Sequence, residues 1–414
     1  MVFTHTLKAK LLTSQPGSQP HTFAVPVPAV SAVAYRPGQP GQVLLSTSFG
    51  VVPLRLPPPG EELAKAAEPP RVEPPIPLRN VQHSGFDHQR IFDASFDPLS
   101  GFVLLACGHS LYGIDEANRV DCLAGDPYAE DGALLVDGPA VHARFVGAQR
   151  LAAAGGGLTF IRDRCSSSRN GFTLRALHEL PRPEDQGGGG SGLRAVTTVH
   201  LGAAGDVGPH TFAYCPRRKS LVYATRGRAL HQLLPHGVTR QLAGNDEPLA
   251  SVAAANSAAA AASANDSASD DPDSAVSAAP VEGPSGAGRG GSGSGAGRVG
   301  ADEPRYGLGA GGGMDAGVNP CLMWPGACSF MPFTNIQAVA TDPDGSGDIY
   351  VLDGVSGSST TLKVLRGDGQ LDTLAVGLRI GPKGSGRWPR LAALPGRRLI
   401  VYGVSQHDLM ILQL

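Results

Sequence analysis

Residues 96–126 read FDPLSGFVLLACGHSLYGIDEANRVDCLAGD, and residues 214–245 read YCPRRKSLVYATRGRALHQLLPHGVTRQLAGN. Both open on an aromatic two positions before a proline, Pro98 and Pro216, at a turn. An apolar run follows, Val103 to Ala106 in one and Leu221 to Ala224 in the other. A second short run comes after a tight connection, Ser110-Leu111-Tyr112 against Ala229-Leu230-His231. The third ends in Leu-Ala-Gly-Asp or Leu-Ala-Gly-Asn, and one gap aligns the whole. These are copies of one unit, and internal repetition outranks any local motif in reading a fold.

A third copy covers residues 338–377, where Asp342-Pro-Asp-Gly and Gly367-Asp-Gly mark turns between strand-like runs. Asp-Gly supplies the positive φ that two-residue hairpin turns require. Weaker copies occupy 30–56, 149–200 and 390–414. Each unit holds three or four runs of strand-type composition, punctuated by Gly, Pro, Asp and Ser. A meander of about four short strands every 35–45 residues is the period of a propeller blade. A four-stranded sheet cannot cover both of its own apolar faces, so it needs a neighbour on each side, and closing the ring removes the exposed ends. The expectation is an all-β, single β-propeller domain over residues 1–414, six-bladed, with units near 28–56, 92–126, 149–200, 210–245, 334–377 and 389–414. The last unit has room for only three strands, so the alternating segment 6–13 is expected to supply its outer strand and close the ring.

The joints between units carry a second signal. Leu123-Ala-Gly-Asp126 leads through a polar stretch to Val136-Asp-Gly-Pro-Ala-Val-His-Ala-Arg-Phe145, and Ile349-Tyr-Val-Leu-Asp353 follows later. This resembles the NHL-repeat family, whose blades pass through an LAG…DG…ARF connector and reach a YVxD strand. Asp137, Gly138, Arg144, Phe145 and Asp353 match that pattern and are implied to be structural. A second connector starts at Leu242-Ala-Gly-Asn245 and resumes near residue 314, with Phe330 and Phe333 close to the aromatic position. The combination is also similar to the propellers that precede a BTB/POZ domain in some plant-type proteins. There the BTB fold brings dimerisation and ubiquitin-ligase recruitment; residues 1–414 are expected to be propeller throughout, without a BTB segment among them.

Composition narrows the function classes. Lys and Arg number 34 against 36 Asp and Glu, a net charge of −2, without the basic stripe that nucleic-acid binding needs. No signal peptide and no long apolar span is read, which suggests a cytoplasmic or nuclear protein away from membranes. The six cysteines show no CxxC spacing, so free thiols are expected. Within 251–300, Ala, Ser and Gly make up 34 of 50 residues with no aromatic, too little apolar surface to offset the entropy of ordering. Residues 246–313 are therefore expected to form a disordered insertion between blades, and 57–77 and 185–192 are shorter tracts of the same kind.

No cofactor fingerprint appears: the glycine runs lack the P-loop Lys and the strand-to-helix setting of a dinucleotide site. No G-x-S-x-G elbow is present. His83 and His88 lie near Pro and Gly, which argues against a helix presenting both to zinc. A gluconolactonase-like, metal-dependent hydrolase is the enzymatic alternative, and Asp93, Asn335 and Asp353 are its candidate oxygen ligands. The favoured expectation is a non-catalytic scaffold for a protein or peptide, and the resemblance to BTB-associated propellers implies the substrate-recognition part of a ubiquitin-ligase adaptor. Its candidate contacts are Trp324, Phe330 and Phe333 at a connector tip, with Arg217 and Arg218 at a hairpin tip.

Overall fold

The computed structural model describes residues 7–8, 10–13, 21–27, 29–38, 42–66, 68–129, 134–164, 172–179, 194–199, 209–224, 228–234, 237–245, 333–354, 360–378, 389–403 and 408–414. They form six antiparallel sheets, each a four-stranded meander, and three sheets gain a short fifth strand. The inner strands, in order, are Ala32–Tyr35, Asp93–Phe96, Ala148–Gly155, Thr211–Cys215, Ile336–Thr341 and Pro389–Leu394. Each contacts the inner strand of the next blade, and that of blade 6 contacts that of blade 1. The ring closes: this is a six-bladed β-propeller.

Burial explains why. The buried apolar residues fall into six clusters, and each cluster draws on two successive blades. Blade 2, for example, sends Val103, Leu105 and Tyr112 toward blade 1, and Leu104, Ala106 and Leu111 toward blade 3. Alternation along a strand sends successive side chains to opposite faces, so Val103-Leu-Leu-Ala serves two cores at once. A blade removed from the ring would expose both.

The Leu-Ala-Gly repeat has a local cause. Gly125 and Gly244 close the outer strands of blades 2 and 4 at φ +91° and +93°. At each, a Cβ would collide with a carbonyl of the preceding strand, that of His109 or Arg228. Only glycine fits both the angle and the approach.

Ring closure differs in detail from the expectation. Blade 6 takes Asp408–Gln413 as its third strand, and His21–Pro26 pairs beside it as the fourth. Lys10–Thr13 lies beyond as a fifth strand, while Leu7–Lys8 pairs with blade 1. The fourth place belongs to 21–26 because Phe23 and Val25 fill the core between blades 6 and 1, at 4% and 0% exposure.

The tract 57–77 is likewise ordered structure. Arg71–Val72 is the outer strand of blade 1. Leu63 is buried, and its N–H donates to Gln413 Oε1 at 2.6 Å. Arg398, almost fully buried, donates to the carbonyls of Pro57, Pro58 and Glu61 at 2.5, 2.7 and 2.7 Å. A Pro-rich chain offers acceptors without donors, and a guanidinium with five N–H groups suits it. Tracts 185–192 and 246–313 lie outside the described residues.

Candidate functional site: the lumen of the ring

An antiparallel meander puts the start of each inner strand at the same end of the blade as the connection from the previous blade. Polar side chains gather at these starts. Asp93 of blade 2 accepts the Leu151 N–H of blade 3 at 2.9 Å through Oδ2. Thr211 of blade 4 does the same for Val339 of blade 5 at 3.2 Å. These bonds sew neighbouring inner strands together.

Arg390 reaches further. From blade 6 its Nη1 donates to Ser31 O at 3.1 Å, to Phe92 O, and to Asp93 Oδ1 at 3.4 Å. It thus passes blade 1 and meets blade 2. Tyr402, paired with Arg390 on the next strand, is buried; burial, and then Asp93, push its hydroxyl up to about 12, so it is a neutral phenol. Arg150, beside Leu151 on blade 3, faces the same group. Burial, and then Arg390, push its guanidinium down to about 10, with Asp93 and Tyr402 opposing. Blades 3 and 6 lie opposite one another in a ring of six, so Arg150 and Arg390 approach each other in the lumen. Two guanidiniums there face one carboxylate.

A second arrangement recurs in blades 3 and 5, and it accounts for the connector motif. In blade 3, Asp163 accepts the N–H groups of Val146 and Gly147 at 3.3 and 2.7 Å and pairs with Arg175 at 3.2 Å, both side chains at 0% exposure. Arg175 also donates to the carbonyls of Arg144 and Val136 at 2.5 and 2.6 Å and to Asp137 at 2.8 Å. Its guanidinium sits 4.7 Å from the Phe145 ring centroid. In blade 5, Asp353 accepts the N–H groups of Thr334 and Asn335 at 2.8 and 2.7 Å and pairs with Lys363 at 2.7 Å. Lys363 lies 5.4 Å from the Phe333 ring centroid. The carboxylate closes the second strand, the cation comes from the third, and the aromatic from the connector. Burial pushes Asp137 up, but its bonds from Arg175 and Thr198 outweigh this and leave it below the usual carboxylate range. Gly138 stands at φ +138° and starts the short fifth strand of blade 3.

The other anticipated residues distribute as follows. Phe333 is not an exposed anchor: it is 1% exposed and packs between blades 4 and 5, because the cation above it and the core below need its ring. Trp324 and Phe330 lie outside the described residues. Arg217 donates to Ser346 O at 2.5 Å, and Arg218 to Arg366 O at 3.2 Å, so this hairpin tip is fastened to blade 5. Asp93, Asn335 and Asp353 each have protein partners. Asp353 is committed to Lys363 and two N–H groups, Asp93 lies under Arg390, and the Asn335 amide is 3.4 Å from Gly354 O. Among the described residues no three of His, Cys, Asp and Glu gather in a metal-binding group. Cys107, Cys122 and Cys215 are free thiols, and no described helix is long and apolar enough to cross a membrane. A cleft of about 240 Å³ on blade 1 is bordered by Arg55, Arg71, Glu61 and Glu68.

No protein-family model matches the chain, and no curated protein matches it. Solved structures do resemble it. A protein of unknown function from Bacteroides thetaiotaomicron aligns over 99% of this chain and 76% of its own length, at 10% identity and a TM-score of 0.45. XC5397 of Xanthomonas campestris, described as a gluconolactonase, aligns over 98% of this chain and 94% of its own, at 11% identity and a TM-score of 0.44. Raptor of Chaetomium thermophilum aligns over 99% of this chain and 29% of its own, at 10% identity and a TM-score of 0.39. The class of the protein is set by its own strand pairing: a six-bladed, all-β propeller.

Proposed function

We propose that the ring is a non-catalytic binding module whose partner is a protein or peptide, held on the connections that lead into blades 2 and 3. The distribution of exposed apolar side chains carries this reading. Of eight large ones among the described residues, Phe92, Tyr128, Leu134, Val136 and Val141 belong to those two connections. The connections lie against each other, since a Cβ on Gly85 would meet Pro127 and the Tyr128 ring. Apolar side chains clustered in the open mark interaction surfaces, whereas single ones are ordinary.

A photo-crosslinking residue in place of Val141 is expected to capture a defined partner that the same residue in place of Leu99, on a turn of blade 2, does not. Tyr128→Ser with Val141→Ser should weaken that partner's binding about tenfold or more. Equal capture at both positions, or unchanged binding by the double variant, would contradict the reading. The finer role, recognition of substrate for a BTB-type ubiquitin-ligase adaptor, is supported only by the connector motif at 123–126 and 137–145. Under the hydrolase alternative, calcium would raise the melting temperature as its excess grows. A binding module gives no such rise.

A further inference from the structure

We propose that the outer edge of blade 5, the strand Leu371–Leu378, joins the same edge of a second copy of this chain, so that two rings share one continuous sheet. This goes beyond the protein-binding reading and does not depend on it.

The first ground is an edge left open. The outer strand of blade 1 pairs with Leu7–Lys8, that of blade 3 with Gly138–Pro139, and that of blade 6 with Lys10–Thr13. Along blade 2, the Val120 N–H donates to Arg79 O at 3.0 Å and the Gly125 N–H to Ala140 O at 3.1 Å. Residues 371–378 pair only with Thr360–Leu365 among the described residues. The Arg366 N–H donates to Gln370 O at 2.8 Å, and hydrogen-bonded pairs alternate from there, so Leu371 and Thr373 turn their N–H and C=O groups outward. An extended backbone is what such a row of donors and acceptors recognises.

The second ground is that nothing guards this edge. It is the longest of the six outer strands, eight residues, and it holds no Lys, Arg or Pro. Its one charge, Asp372, is held by Arg366 at 3.1 Å. Thr373 is exposed, and Val376 is 37% exposed. Blade 4, whose outer strand Thr239–Asn245 also takes no fifth strand, carries the exposed Arg240 there. Charged side chains on an edge are how sheets keep apart.

The third ground is the fit of the strand to its own copy. A two-fold axis sets the two strands antiparallel. Asp372 lies near one end, so its two copies fall at opposite ends of the pairing. A net charge of −2 over 414 residues leaves little repulsion between the rings. A foreign peptide would need side-chain selection, and the only charge on this strand is already held by Arg366. Blade 2 stands opposite blade 5 in a ring of six, so the dimer leaves the connections into blades 2 and 3 open.

The test is sedimentation velocity of the full chain from micromolar to hundreds of micromolar, with amide hydrogen exchange at both ends of that range. The wild type is expected to pass from monomer to dimer as concentration rises, and the amides of 371–378 to gain protection with it. Val376→Lys and Thr373→Lys each put a charge on the edge at an exposed position. Each should weaken dimerisation about tenfold or more and melt as the wild-type monomer does. Val238→Lys replaces another exposed apolar side chain, beside the outer strand of blade 4, and should dimerise as the wild type does. A wild type that stays monomeric throughout, leaving the edge to a foreign strand or to none, would overturn the proposal. So would dimers undiminished by both edge variants, an equal loss in Val238→Lys, or dimers without added protection at 371–378.

Discussion

Two sets of charges meet in blade 3, and water reaches them to different degrees. Behind Phe145 and Phe333, every buried charge has its partner: Asp163 faces Arg175 and two N–H groups, and Asp353 faces Lys363 and two more. In the lumen, Arg150 stays partly exposed, with Asp93 and Arg390 among its charged neighbours. Both arrangements use blade 3. The paired set is architecture, since each carboxylate ties a connector to the first two strands of its blade. A guanidinium that water still reaches needs no fixed partner, so removing Arg150 should disturb the fold far less than removing Arg175.

The framework side breaks most severely at the ring closure. Deleting residues 1–26 removes Phe23 and Val25 from the core between blades 6 and 1, and loss of cooperative unfolding is expected by calorimetry. Deleting only 1–14 leaves His21–Pro26 in place and should lower the melting temperature by far less. Next comes the paired set. Arg175→Met strands Asp163 at full burial and should cost about 3–5 kcal/mol in urea unfolding. Lys363→Met should cost somewhat less, about 2–3 kcal/mol, because Arg175 in addition holds the carbonyls of Arg144 and Val136 and the Asp137 carboxylate.

Smaller effects sharpen the picture. Gly377 has φ +71° but open space around it, so Gly377→Ala should cost only the backbone strain, about 1–2 kcal/mol. Gly244→Ala adds a collision with Arg228 O and should cost more, with the same measurement separating the two. Arg217→Ala loses one exposed bond to Ser346 and should change stability by less than about 1 kcal/mol.

The blades were legible because their cores are made of alternation. Val103-Leu-Leu-Ala and Leu221-Val-Tyr-Ala each serve two neighbours, and that demand leaves a repeating pattern in the sequence. The Leu-Ala-Gly ends were legible because no other residue fits Gly125 or Gly244. The strand 21–26 was hidden by its prolines: Pro20, Pro26 and Pro28 read as a loop, yet pairing with the chain's far end outweighs local propensity. Proline-rich 57–77 was misread for a related reason, since its acceptors are satisfied by Arg398, more than three hundred residues away.

The lumen was the least visible part. Neither Arg390 nor Arg150 stands in a recognisable motif, and Asp163 is not among the residues that the connector resemblance marks. Asp163 had a readable signal, because Phe160-Ile-Arg-Asp163 stands where Tyr350-Val-Leu-Asp353 stands two blades later. Arg150 and Arg390 are remote in sequence and meet only because blades 3 and 6 face each other. No spacing rule along the chain encodes that, although aligning the six inner-strand starts would have put Asp93, Arg150 and Arg390 in one column.

The distinction between a buried tie and a charge that water still reaches rests on the difference between two variants. Equilibrium urea unfolding of Arg150→Met, run beside Arg175→Met, measures it. A change of less than about 1 kcal/mol for the lumen variant, against a loss of about 3–5 kcal/mol for the blade variant, is the expected result. Equal losses for both would show that Arg150 serves the fold as Arg175 does, and would contradict the account.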